Sequence, residues 1–358
     1  MASQGKQTIA INYYLSPDEM ENRIFAPESR SDKAPFMRAF RDFMRDAGVN
    51  VVTIDQVDFR DPDVSHVLYF DYSWRSARAD RWLASVPYEK RALVMIEPAL
   101  VNPTLYLTSH YRKRFSTVFT WDLNLLRKHP SYSRINVPVG AEPLSYAANP
   151  FKHLSFHDKR FLVAVSANRW SYMPHSAYAK RWRAYQHFER ATPGQFDLYG
   201  VGWNAPRVFF EKRLGFHRFS CFRGAIPGGY DAKVNVIAGY KFALCFENNA
   251  SEPGYISEKI IDCFCARCVP VYYGWKGAGD YLPEGAWIDL RTFGSLSALE
   301  AFLAGIDEAR YARYLEAIDR FMLSEQVRFF SMSHFFNVIA TRLKRPSNAC
   351  PAPKAGLL

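Results

Sequence analysis

Ser257, Glu258 and Lys259 stand in a row where a polar loop meets an apolar run, inside FENNASEPGYISEKIIDCFCARCVPVYYG at residues 246–274. Serine is a preferred helix N-cap, and the two charged residues would then fill the first turn, where outward-pointing N–H groups carry partial positive charge. Such an end attracts phosphate, and the lysine adds a full charge toward the same anion. The plainer alternative makes Glu258 an ordinary helix-start acid and Lys259 its solvated neighbour, and the pattern alone leaves both open. Elsewhere the chemistry is less pointed. Asp61-Pro62-Asp63 has the D-x-D spacing of a metal-held nucleotide site but reads as a loop entering a strand. His153 and His157 are four apart in a proline-bearing stretch with no third ligand in view, and His175 and His187 show no ligand spacing. Cys263, Cys265 and Cys268 crowd a helical-looking run without a fourth ligand and read as buried thiols. Neither G-x-G-x-x-G nor G-x-x-x-x-G-K-[ST] occurs, which removes the nicotinamide, flavin and P-loop readings.

The elements that must position these residues alternate. TIAINYYL near the start reads as a strand, Phe36, Phe40, Phe43, Met44 and Ala47 follow at helical spacing, Gly48 stops the helix, and Val51 to Ile54 resume as a strand. Short apolar runs at 64–70, 92–97 and 116–121 continue the pattern of a mostly parallel sheet covered by helices. Periodicity fades and prolines appear over 136–160, the expected interdomain linker. A second alternation follows, with strands at 161–167, 195–200, 240–246, 269–274 and 286–290, a helix from about Ser257, and a helical end. The expectation is an α/β fold of two Rossmann-like domains facing across a cleft: 1–150, 151–340, and a basic tail at 341–358. Ligands of such folds sit at the carboxyl ends of strands.

The 358 residues suffice for two cores, and the 48% hydrophobic and 23% charged content is that of a globular chain. A net charge of +11 favours an anionic partner. No basic run suggests a nucleic-acid arm. YRKR at 111–114 reads as a solvated helix face, and the tail, with Arg342, Lys344, Arg345 and Lys354, reads either as a disordered terminus or as a segment lying on anionic lipid. The start lacks a signal-peptide pattern and no stretch offers 18 uninterrupted apolar residues, so a cytoplasmic location is expected, with peripheral contact to the inner membrane face as an added option. Of the aromatics, Trp74, Trp121, Trp170 and Trp203 are candidates to stack on sugar or base faces, with core or rim packing as the plainer role.

YKFALCFEN, then GYISEK, then VPVYYG resembles the donor-binding signature of the α-1,3/1,4-fucosyltransferases, glycosyltransferase family 10, in order and spacing across about 35 residues. VSANRW, RWRAYQHF and FDLYGVG resemble the family's Ser-Asn segment, its arginine-bearing helix and a strand end, and MIEPALVNP, FTWDL and NVPVG resemble stations of the acceptor half. The resemblance runs from about residue 90 to 275.

It implies a GT-B fold and specific roles. Glu97 matches the general base, Arg181 and Lys259 the diphosphate contacts, Glu258 the acid facing the fucose ring, and Tyr255, Asn248, Ser166 and Asn168 further donor-binding positions. Arg183 offers an alternative to Arg181, and Pro98 follows Glu97 where the family commonly has Ser-Pro. The implied reaction is inverting transfer of L-fucose from GDP-fucose to a hydroxyl of an N-acetylglucosamine-type unit in a surface glycan such as lipopolysaccharide. The expected partners are a GDP-sugar donor, an oligosaccharide or lipid-linked glycan acceptor and an anionic membrane, with no nucleic acid and no required cofactor or metal. The alternatives are another GDP-linked deoxyhexose as donor, or a catalytically silent glycan-binding module on the same fold.

Overall fold

The computed structural model describes residues 7–73, 80–138, 143–173, 175–206 and 217–344. Two all-parallel sheets form. The first has six strands, β1 (Thr8–Asn12), β2 (Asn50–Thr53), β3 (Val64–Phe70), β4 (Arg91–Met95), β5 (Thr117–Thr120) and β6 (Ser133–Arg134), in the order β2-β1-β3-β4-β5-β6. The second has five, β7 (Arg160–Val165), β8 (Phe196–Tyr199), β9 (Tyr240–Phe246), β10 (Val269–Tyr273) and β11 (Ile288–Asp289), in the order β11-β10-β9-β7-β8.

Central strands such as YKFALCF are buried nearly throughout, as expected of parallel strands covered on both faces. Each sheet is doubly wound. Its strand order reverses once, between β1 and β3 in the first and between β7 and β9 in the second, and crevices open at the carboxyl ends of those pairs. Asp71 follows β3, Ser166 follows β7 and Glu247 follows β9, so the segments that carry the predicted chemistry lie at these crevices. Asp61 and Asp63 precede β3 at the opposite end of the sheet, where Asp61 accepts the Asp63 amide in a turn (2.8 Å), away from any crevice.

Two expectations change. The helix Met332–Leu343, read with the second half, packs into the core of the first. Phe335, Phe336, Ile339, Ala340 and Leu343 are buried among Ile9, Ile11, Phe40, Leu68 and Phe70, with the Phe336 ring 5.3 Å from that of Phe40 and 5.4 Å from that of Phe36. The Gln7 side chain donates to the Leu343 carbonyl at 2.8 Å. Arg342 and Lys344 therefore end an ordered helix, while residues 345–358, with the rest of the expected tail, lie outside the described residues, as does Trp74. Phe336→Ala is expected to destabilise the chain by about 3 kcal/mol, read as a drop in denaturant midpoint, because it empties a cavity at the centre of this aromatic cluster.

The second change is in YRKR. Arg112 is buried rather than solvated, and its guanidinium donates to the carbonyls of Leu105 and Thr108, tying together the short helices Thr104–Leu107 and Ser109–Arg112. Cys263 and Cys268 are buried, Cys265 is partly so, and all three are free thiols. No helix among the described residues is long and apolar enough to cross a membrane.

Candidate active site

The Ser257–Lys259 turn is built on a buried carboxylate. Glu247 leaves β9 with no exposed surface, and its Oε1 accepts the Ser257 amide (2.8 Å) and the Tyr272 hydroxyl (3.3 Å). Its Oε2 accepts the Ser257 hydroxyl (2.7 Å) and the Lys259 ammonium (3.3 Å). Ser257 Oγ in turn accepts from Lys259 Nζ at 2.9 Å and caps the helix Glu258–Cys265 through the Lys259 amide. The sequence showed the cap. It gave Glu247 no role, although the residue stands in the Phe-Glu-Asn motif, because nothing local reveals that a side chain ten residues before the cap holds it.

The first half contributes Glu97, two residues beyond β4. Its backbone is fixed from below by Asp71, a buried residue in the left-handed region (φ 52°) whose carboxylate accepts the amides of Ile96 (3.1 Å) and Glu97 (3.3 Å). The Tyr106 hydroxyl donates to the Glu97 carbonyl at 2.7 Å, and Trp121 Nε1 donates to the Ile96 carbonyl at 2.9 Å. The main chain is thus held while the Glu97 side chain faces the cleft between the halves.

That cleft, about 440 Å³, is lined by Glu97 and Val101 from the first half and by Ser166, Arg181, Asn248, Glu258 and Lys259 among others from the second. Four cations line it, Arg169, Arg181, Lys233 and Lys259, against two carboxylates, Glu97 and Glu258, so its wall carries a net positive charge suited to an anion. The helix Gly229–Ala238 also begins at this wall, with Gly229 and Lys233 lining it, so two helix N-termini face the same space.

Arg181 is buried, donates to the Ala167 carbonyl at 2.8 Å and lies 4.7 Å over the Tyr178 ring, whereas Arg183 is exposed and does not line the cleft. Ser166 lines the cleft, its hydroxyl 3.1 Å from that of Tyr185. Gly200 closes in against it: at φ 130° an added Cβ would stand 1.9 Å from the Ser166 carbonyl oxygen, so this strand end admits only glycine.

Two predicted contacts stand behind the wall. Asn168 turns its amide to the Gly202 carbonyl (2.9 Å) and pins that loop. Tyr255 is buried with its ring 4.8 Å from Trp121, packing one half on the other. Of the tryptophans, Trp121 and Trp203 are buried, and Trp203 donates to the Ser166 carbonyl at 2.6 Å. Arg169 and Lys233 were not anticipated. Arg169 adjoins the Ser-Asn segment, and Lys233 sits in a helix preceding β9, where it pairs with the buried Asp262 at 2.5 Å.

The charges act on one another. Burial and then the Glu258 charge push the Glu97 carboxyl up, against the pull of Lys259 and Arg169. Burial would raise Glu258 too, but Lys259 and Lys233 outweigh it and hold that carboxyl well below its usual range. Burial would lower the Lys259 ammonium, yet Glu258 and Glu247 keep it firmly charged. Burial and the Glu97 charge lift Asp71 to about 8, against the amides of Glu97 and Ile96. Two carboxylates on one cleft are thereby driven apart, one shifted toward taking a proton and one held toward its ionised form. Among the described residues no group of three or more His, Cys, Asp or Glu is placed to hold a metal ion.

Comparison with known proteins agrees with this architecture. A bovine alpha-(1,3)-fucosyltransferase 7 is 38% identical over 131 residues, 35% of this chain and 37% of the relative. The human alpha-(1,3)-fucosyltransferase 4 is 26% identical over 278 residues, 75% of this chain and 44% of the relative. The matches thus span less than half the length of these curated relatives. A crystal structure of an alpha1,3-fucosyltransferase with GDP-fucose superposes with a TM-score of 0.51 at 13% identity, covering 97% of this chain and 94% of that one. An alpha-glucosyltransferase in complex with UDP-glucose and DNA gives 0.57 at 10% identity, covering 95% and 100%. Both are likenesses of fold, the two-domain GT-B arrangement. Residues 158–341, just over half the chain, match the C-terminal region of glycosyltransferase family 10 (fucosyltransferase), and the chain belongs to that family.

Proposed function

We propose that this chain transfers L-fucose from GDP-fucose to a glycan hydroxyl with inversion, the acceptor being an N-acetylglucosamine-type unit, through O3, of a surface glycan such as lipopolysaccharide. One observation carries the reading: a carboxyl raised by burial on the first half shares a cleft with a cationic, doubly helix-capped wall on the second. Relatives named as alpha-(1,3)- and alpha-(1,4)-fucosyltransferases, and solved structures holding GDP and GDP-fucose, support the donor.

In this mechanism Glu97 takes the proton of the acceptor hydroxyl as its oxygen attacks the anomeric carbon from the face opposite the nucleotide. The bond from that carbon to the β-phosphate oxygen breaks, and its electron pair leaves with GDP. Arg181 and Lys259 meet the charge that develops there, with Arg169 and Lys233 adding to the field, and in this reading side chains do the leaving-group work without a required metal. Glu258 faces the sugar as it gains positive character. The basic composition fits a phosphorylated, lipid-linked acceptor at an anionic membrane surface in the cytoplasm.

Acceptor-dependent GDP release from GDP-fucose with N-acetyllactosamine tests the reading, with the anomeric configuration of the product read by NMR. Release only from another GDP-deoxyhexose would move the donor assignment, and glycan binding with no GDP affinity would replace the enzyme by a lectin. Flotation with anionic and neutral liposomes tests the membrane contact.

A pH prediction follows from the geometry. Glu97 works ionised, so kcat/KM is expected to fall as pH drops through its raised pKa, on a limb above the ordinary glutamate range. Glu258→Gln removes the neighbouring negative charge, so that limb is expected to move to lower pH, measured on whatever activity the variant retains.

A further inference from the structure

Four consecutive residues of the second half, Glu252 to Tyr255, lie against the first half just before the donor turn. The Ala99 amide donates to Glu252 Oε1 at 3.2 Å, and the Leu123 amide donates to the Pro253 carbonyl at 3.1 Å. Gly254, at φ 94°, lies so close that an added Cβ would be 2.3 Å from the Trp121 carbonyl oxygen, and the Tyr255 ring packs on the Trp121 ring. Ser257, Glu258 and Lys259 follow within four residues. Ala99, two residues past Glu97, bonds the second half directly, and on the other side of the base the Ile96 carbonyl is held by Trp121 of the first half, whose ring packs on Tyr255 of the second.

Glu252 is the polar member of this seam. Its Oε1 also accepts from the side chain of the buried Asn249 at 3.0 Å, Asn249 in turn accepts the Ser251 amide at 2.9 Å, and Arg291 donates to the Ala250 carbonyl at 3.2 Å. The carboxylate is thus presented to Ala99 by a loop fastened within its own half. Its Oε2 is buried without a hydrogen-bond partner among the described residues. A half-buried carboxyl that leaves one oxygen without a partner and shares the other between Asn249 and an amide of the other half is costly unless that contact has a use.

We propose that Glu252 is a positioning residue for Glu97: by taking the Ala99 amide it makes the geometry of the base-bearing loop depend on the half that binds the donor. This rests on the reading of Glu97 as the base. It explains how a proton acceptor on one domain is set against an anomeric carbon held by the other, a placement that small errors degrade strongly.

The test compares wild type, Glu252→Ala and Glu252→Gln in the full chain. Glutamine keeps a side-chain oxygen for the Ala99 amide and alanine does not. Glu252→Ala is expected to lower kcat at least about tenfold with GDP affinity unchanged within about twofold, and Glu252→Gln to recover to within about threefold of wild type. Hydrogen exchange is the second readout. The Ala99 amide is expected to lose protection in the alanine variant and keep it in the glutamine variant, while residues 257–261 stay protected in both. Wild-type kcat in Glu252→Ala, a loss of GDP affinity parallel to the loss of rate, or a glutamine variant as slow as the alanine one would each overturn the proposal. If wild type turns over no GDP-fucose, the functional reading fails, and the exchange comparison still decides the contact: unchanged Ala99 protection in Glu252→Ala overturns it, and selective loss supports it.

Discussion

Glu97→Gln is expected to lower kcat by about 10² to 10⁴, the contribution of a well-placed general base, while leaving GDP affinity and thermal midpoint intact. The separation follows from how the residue is held. Its structural bonds are made by the main chain, the amide to Asp71 and the carbonyl from Tyr106, and a glutamine keeps both. The residues proposed to hold the donor all come from the other half. Removing a carboxyl that burial and Glu258 already disfavour as an anion relieves strain, so stability is not expected to fall. Rate assays, GDP titration and a melting curve on one preparation check all three. A variant that loses GDP binding in step with rate would place Glu97 in the donor site instead of opposite it.

Lys259→Met is expected to fail twice, and the two failures separate. Its ammonium reaches Glu247, which has no exposed surface, so truncation leaves a buried carboxylate short of its cation and is expected to destabilise the fold by about 3–5 kcal/mol. It also removes a charge from the cleft wall, and GDP affinity is expected to fall about 10²-fold, as when a hydrogen-bonded charge pair is truncated. Glu247→Gln combined with Lys259→Met separates the two effects: it removes both charges, so stability is expected to return in large part while GDP affinity stays low. A double variant that regained GDP binding would show that Lys259 serves only the fold. One that regained neither would mean that Glu247 holds the turn through the Ser257 bonds more than through the ion pair.

What could be read in the sequence was what is decided within a few residues. β9, the Ser257 cap, the helix Glu258–Cys265 and β10 lie where apolar runs and a capping serine place them, since burial on both faces of a parallel strand leaves a local signature. The cations and carboxylates of the cleft were legible where they stand in a motif. Partners chosen over long range were not. YRKR looks solvated because three charges in a row usually are, and nothing nearby announces that Arg112 will turn inward to two carbonyls. The periodicity of residues 332–343 shows an amphipathic helix but not which core its phenylalanines will join. Tyr255 sits in the donor motif, and only the approach of Trp121, more than a hundred residues earlier, draws it into the seam between the halves. Lys233 and Glu252 needed the same kind of information.

The return of the last helix has a consequence for how the chain is made. Synthesised from the N-terminus, the first half emerges with Phe36, Phe40 and Phe43 facing a groove whose filling, Phe335 and Phe336, is encoded some three hundred residues later. The ribosome must complete nearly all of the second half before the first can finish its core, so the nascent chain carries an uncovered aromatic surface through most of translation. The second half waits for less: the helices that complete its core, through Phe330, follow directly after its last strand. Order of completion is therefore the reverse of order of synthesis, and chaperones that bind exposed aromatics have their longest opportunity on the half that carries Glu97.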